Sequence, residues 1–233
     1  MSRRLGAAAR SALALAILVG LFGTATVSAQ SPCDALGGTV SPDQTCYVRH
    51  AGAGYSAYLS FPLGYPDQQV LVDYLIPVHE EFIDFARSQP EHDWPYTLTA
   101  TSTQYQSGGD SGTRSVVLEM SQDANPHPVS WYKTFNYDLD AQAPITLDTL
   151  FKPGMKPLDV VYPAVRHELE KRWQPEVSAS MLGLVDDATF EDFALTDDAV
   201  IFFIGQGQLL GHPEGPVEVS VSVPRAELAS SLA

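Results

Sequence analysis

The chain has 233 residues, with 28 Asp and Glu against 13 Lys and Arg and a net charge of −15. A field of that sign repels nucleic acid and favours cationic partners. Hydrophobic residues make up 45% of the chain, enough to bury a core, and no linker, repeat or block of like charge divides it.

Arg3, Arg4 and Arg10 surround the start of an apolar stretch from Ser11 to Phe22, the layout of a cleavable secretory signal. Val27-Ser28-Ala29 supplies the small residues a signal peptidase requires. Cleavage is therefore expected after Ala29, leaving residues 30–233 as one secreted, extracellular domain that begins at Gln30. The apolar run is shorter than the roughly 20 residues of a spanning helix, and no second such run follows, so no membrane span is expected after cleavage. Ser2-Arg3-Arg4 hints at a twin-arginine route, but Leu5-Gly6 continues that motif poorly. Removing Arg3, Arg4 and Arg10 takes the net charge from −15 to −18.

Cys33 and Cys46 lie just inside the mature start and head for an oxidising compartment, so a disulfide between them is expected. It closes a loop of about 14 residues, which loop-closure entropy values at roughly 3 kcal/mol. A redox pair would instead prefer two-residue spacing at a helix start.

Tyr55, Ala57, Leu59 and Phe61 alternate as in a half-buried strand. From Asp67, a plausible N-cap, Leu71, Leu75, Val78, Phe82 and Phe85 mark one face of a helix running to about Arg87, with Pro77 expected to kink or split it at Ile76. Tyr96 to Gln106 and Arg114 to Gln122 read as a hairpin with a polar tip at Ser107 to Gly112. Asn125-Pro126-His127-Pro128 turns the chain into an aromatic strand, Val129 to Asp138, giving three neighbouring antiparallel strands. Leu158 to Trp173 is a second helix, interrupted near its start by Pro163. Phe193, Val200 to Ile204 and Val217 to Val223 supply further strands, and Pro224 opens a short last helix. Strands and helices come in runs, so the class is α+β: a mainly antiparallel, twisted sheet with two principal helices packed on it.

Gly109-Asp110-Ser111-Gly112 has the letters that surround a trypsin-like nucleophile, but none of the upstream histidines, His50, His79 and His92, has the setting of a catalytic base. Glycine and aspartate are wanted at a hairpin tip for backbone reasons alone. His79-Glu80-Glu81 and His167-Glu168-Leu169-Glu170 lack the second histidine of a zinc-protease helix. Asp186-Asp187 and Asp197-Asp198 lack the alternating ligands of a calcium loop and read as turn residues. No metal site, cofactor motif or catalytic residue is assigned on this reading. Trp131, Tyr132, Phe135 and Tyr137 are read first as packing, and as a binding surface only where one sheet face is left uncovered.

Tyr65-Pro66-Asp67-Gln68, Ala100 to Gln106 with the hairpin after it, Tyr132-Lys133-Thr134-Phe135, Pro144-Ile145-Thr146 leading to Asp148-Thr149-Leu150, Phe193-Ala194-Leu195-Thr196, Val200-Ile201-Phe202-Phe203 and Gly215-Pro216 through Val223-Pro224-Arg225 resemble the mycobacterial secreted immunogenic protein of the MPT/MPB sixty-four type. The resemblance keeps the order and spacing of segments over nearly the whole chain. That family is similar in turn, through His127-Pro128 and the aromatic strand, to the extracellular lysozyme-sensing domain of the anti-sigma factor RsiV. The resemblance implies an α+β fold with a β-grasp-like element, secretion, antigenicity and protein binding without catalysis. Together with the charge, it makes a non-enzymatic protein that engages a basic, lysozyme-like protein or an envelope or host component the leading expectation. A peptidoglycan hydrolase or its regulator is the alternative.

Overall fold

The computed structural model describes residues 31–89, 94–124, 128–173, 185–208 and 219–233. The expected leader, the catalytic-base candidate His92, His127 of the His-Pro turn and the Gly215-Pro216 pair lie outside those residues. The class is α+β, and the strands form two sheets.

The first sheet has seven strands in chain order: β1 (Thr39–Val40), β2 (Thr45–Gly52), β3 (Tyr55–Pro62), β4 (Tyr96–Ser107), β5 (Thr113–Asp123), β6 (Val129–Asp138) and β7 (Ala143–Pro144). Every pairing is antiparallel except β3 with β4, where Tyr55 to Leu59 run parallel to Tyr96 to Ala100. A parallel pair needs a crossover, and helix α2 (Gln68–Ser88) supplies it. The hairpin, helix and hairpin from β2 to β5 form the grasp-like element. A short helix, α1 (Pro32–Ala35), precedes β1 and is closed by a Ser31/Asp34 capping box.

Alternation along the strands decides what each face meets. Val116, Leu118 and Met120 point into a core with Val48, Leu59, Phe61, Leu98 and the buried face of α2, namely Leu71, Leu75, Phe82 and Ile83. Helix α2 runs through Pro77 unbroken, so of the expected kink or split the split does not occur. Pro77 is exposed, as is Asp73 one turn before it, so the carbonyl that loses its donor faces water. Pro163 is tolerated in the same way in the uninterrupted helix α4 (Pro157–Arg172).

The second sheet has three antiparallel strands, β8 (Phe193–Leu195), β9 (Ala199–Ile204) and β10 (Val219–Pro224). One of its faces packs Phe193, Val200, Phe202, Val221 and Val223 against α4, with α3 (Leu147–Leu150) and α5 (Arg225–Leu228) alongside. The two principal helices are thus divided between the sheets, one each. The other face meets the first sheet through Val117, Ala194 and Phe203, with Tyr105 and Tyr132 packed against them.

Polar groups fix the seam between the sheets. Leu195 N donates to Ser115 Oγ (3.1 Å), Phe193 N to Thr134 Oγ1 (3.0 Å), Thr134 N to Asp192 Oδ1 (2.8 Å) and Asn136 Nδ2 to Phe193 O (2.8 Å). Strand β6 is consequently covered on both sides. Trp131, Phe135 and Tyr137 face the α2 core, where Trp131 Nε1 donates to Tyr74 Oη at 2.8 Å, while the ring of Tyr132 lies 5.2 Å from that of Phe203. The aromatic strand is packing.

Candidate functional site

The disulfide forms as expected. Cys33 and Cys46, both fully buried, are joined with their Cα atoms 5.5 Å apart. The bridge ties α1 to β2 and so holds Ala35, Leu36 and Gly37 as one wall of a pocket of about 510 Å³. Gly38 makes that approach possible, because a Cβ there would sit 2.6 and 2.7 Å from the two sulfur atoms.

The opposite wall is one stripe of α2: Ile76, His79 and Glu80, Ile83 and Asp84, then Arg87. These residues recur at three and four positions, so helical geometry alone brings them to one face. His50, from β2, completes the pocket. Its ring centroid lies 5.4 Å from that of His79 and meets Tyr55 edge-on at 5.8 Å.

His79 is only 8% exposed, and its Nε2 has no hydrogen-bond partner. Burial, followed by the neighbouring His50, lowers its pKa, so the imidazole is held neutral with a lone pair or proton to spend. Arg87 is positioned by its own neighbour: Nε donates to Tyr55 Oη at 3.2 Å, and the guanidinium carbon lies 5.9 Å from the Tyr55 ring centroid. A neutral base, a second imidazole and a fixed cation therefore share one cavity. That set suits proton transfer from water and stabilisation of a developing oxyanion.

The other sequence candidates are distributed as follows. Ser111 is exposed at the tip, in a 3-10 turn, and the tip is tied by Gly108 N to Asp197 Oδ1 (2.8 Å) and by Arg225 Nη1 to Ser107 Oγ (3.2 Å). Gly112 is required there because any Cβ would overlap the Ser107 carbonyl. Asp186 caps the 3-10 turn Asp187–Phe190, and Asp187 Oδ1 accepts from Leu158 N, so both act as turn residues. His167 and Glu168 meet Glu227 within 4.8 Å at the surface, but Glu168 is engaged by Lys171 at 2.6 Å. Tyr55 and Arg87 were not singled out as site residues from sequence; His50 was weighed as a base for Ser111 and set aside, and His79 was set aside both in that role and as half of a failed zinc motif. The signal that was present is the Ile76–His79–Ile83–Arg87 stripe.

The model of the family described as a protein of unknown function (DUF3298) matches residues 148–223. Two solved structures of that family share the fold: one from Pseudomonas aeruginosa, TM-score 0.57 at 14% identity, covering 83% of this chain and 95% of its own, and one from Bacteroides fragilis, TM-score 0.54 at 13% identity, covering 84% and 94%. The protein named Esterase Rv3036c of Mycobacterium tuberculosis is 43% identical over 93% of this chain and 96% of its own length. Immunogenic protein MPB64 of Mycobacterium bovis and immunogenic protein MPT64 of M. tuberculosis are 37% identical over 93% of this chain and 95% of theirs. A relative named as an esterase overturns the expectation of a protein without catalysis. The names of the other two, with a buried disulfide that belongs to oxidising compartments, agree with an exported antigen. No helix of the described residues is long and apolar enough to cross a membrane. At these identities and coverages, the chain belongs to the family of mycobacterial proteins that holds Esterase Rv3036c and the immunogenic proteins MPB64 and MPT64.

Proposed function

We propose that the chain hydrolyses carboxylic esters in the pocket between β2 and α2, by direct attack of water. The observation that carries this reading is the buried, neutral His79 with an unpartnered Nε2 and a second imidazole 5.4 Å away, centroid to centroid. The esterase name of a 43% identical relative supports the reaction class. His79 Nε2 takes a proton as water adds to the ester carbonyl, Arg87 stabilises the oxyanion, and the protonated imidazole pair returns the proton to the leaving alcohol. Water and ester become acid and alcohol with nothing left over. Leu36, Ile76 and Ile83 give the cavity an apolar side suited to a short acyl chain.

The test is hydrolysis of short-chain p-nitrophenyl esters by the protein from Gln30 onward with its disulfide formed. His79→Gln is expected to lower kcat about 100-fold, the lower range for loss of a general base. His50→Gln and Arg87→Gln are expected to fall by smaller factors. Wild-type rates in both histidine variants would move the chemistry out of this pocket.

A further inference from the structure

A second cleft of about 510 Å³ opens where the two sheets meet, between β6, the start of α3 and the 3-10 turn Asp187–Phe190 with Glu191 after it. It contains Asn136, Asp148, Asp187 and Glu191, with Lys133 as its one basic residue. Asn136 is 5% exposed. Its Nδ2 is committed to Phe193 O, and its Oδ1 is buried with no partner. A buried amide oxygen left unpaired forgoes the hydrogen bond it would make in water with nothing in exchange. It marks a place where a hydrogen-bond donor is missing. Asp187 has one carboxylate oxygen engaged by Leu158 N at 3.1 Å, and Asp148 and Glu191 are exposed at the rim.

The chemistry of the missing donor follows from this set. The free groups of Asn136, Asp148, Asp187 and Glu191 are acceptors, and the carboxylates outnumber the single lysine, so the ligand is cationic and rich in N–H groups. A metal ion does not fit. Among the described residues, the metal-ligating side chains that converge within 4.8 Å are His167, Glu168 and Glu227, on a different surface. The acceptors here come from β6, α3 and the 3-10 turn. A planar group with several divergent donors reaches such a set better than a compact ammonium does.

We infer that this cleft binds a guanidinium group, with Asn136 Oδ1 as its inner acceptor and Asp148, Asp187 and Glu191 closing on it from the rim. The group belongs either to a free small molecule or to an arginine side chain of a partner, and it gives the acidic field of the chain a specific point of attachment. The inference is independent of ester hydrolysis, which sits between β2 and α2.

Calorimetric titration of the disulfide-bonded protein tests it, with arginine amide, a tri-arginine peptide and lysine amide as probes at low and physiological salt. Asp148→Asn with Glu191→Gln removes two rim charges. Asp110→Asn with Glu119→Gln removes the same charge from exposed positions on the hairpin tip and β5, and serves as the field control. Arginine amide is expected to bind, to exceed lysine amide, and to lose about tenfold in affinity in the rim variant but not in the control. Ester hydrolysis is expected to be unchanged in the rim variant. Binding by the peptide without arginine amide assigns the guanidinium to a partner's side chain; equal binding per guanidinium assigns it to a free molecule. Equal losses in the two double variants, equal affinity for lysine amide, or no binding of either arginine probe would overturn the inference.

Discussion

Replacing both cysteines, Cys33→Ala with Cys46→Ala, removes a cross-link between residues 13 apart in sequence. The chain-entropy relation puts a closed loop of this size, about 14 residues, at about 3 kcal/mol. Alanine is the better replacement because both positions are fully buried, and a serine hydroxyl there would add a desolvation cost of its own. For a domain of this length about 3 kcal/mol corresponds to a fall in Tm of roughly 6–12 °C. Urea denaturation followed by fluorescence, with the denaturant slope unchanged, reads the same quantity. The loss has a local signature as well. Ala35, Leu36 and Gly37 form the pocket wall next to the bridge, so amide exchange in that segment should accelerate, and ester hydrolysis should fall at temperatures where the sheets remain folded. A double variant within about 0.5 kcal/mol of the parent, the ordinary scatter of surface substitutions, would refute the view that the bridge holds this wall.

Gly38→Ala is expected to destabilise by about 1–3 kcal/mol, the usual cost of overpacking, because the added methyl meets two sulfur atoms that the bridge holds in place; thermal unfolding checks it, and the effect should largely vanish in the cysteine-free background. His79 sets an acid limit. Its folded pKa is depressed below the ordinary 6.5 by burial and by His50, so the stability it contributes is fully present above pH 6.5 and is lost as pH falls through the folded value. Urea midpoints measured across that range should decline on acidification, and the decline should be smaller in His79→Gln. Asp192 acts with the opposite sign, because burial raises its pKa above 3.8 and its contribution is lost as pH rises through the folded value. The difference between parent and His79→Gln isolates the histidine.

Local periodicity carried the elements whose buried faces repeat over many residues. Helix α2 and the β4, β5 and β6 strands were legible to within a residue or two because Leu71, Leu75 and Phe82, or Val116, Leu118 and Met120, each meet one core. Strand β2 was missed. Its inward residues Cys46 and Val48 are followed on the same face by His50 and Gly52, which break the apolar alternation. The division into two sheets was not legible either, because it depends on Ser115, Thr134 and Asn136 reaching main-chain groups of β8 roughly 60 to 80 residues away. The candidate site failed for the same reason. His50 and His79 meet only because α2 crosses back over β2 and β3, and nothing in the neighbourhood of either histidine announces the other.

The outermost strands of the large sheet, Thr39–Val40 and Ala143–Pro144, have two residues each, and one of them ends in a proline. A strand that short presents few free amides, and proline presents none, so where they pair, against Cys46 and Tyr47 and against Tyr137 and Asp138, the borders offer little on which another chain can add a strand. A sheet of seven strands would otherwise be an aggregation hazard at high concentration. Here the two stubs that finish the architecture blunt the sheet at the ends of β2 and β6 that they cover.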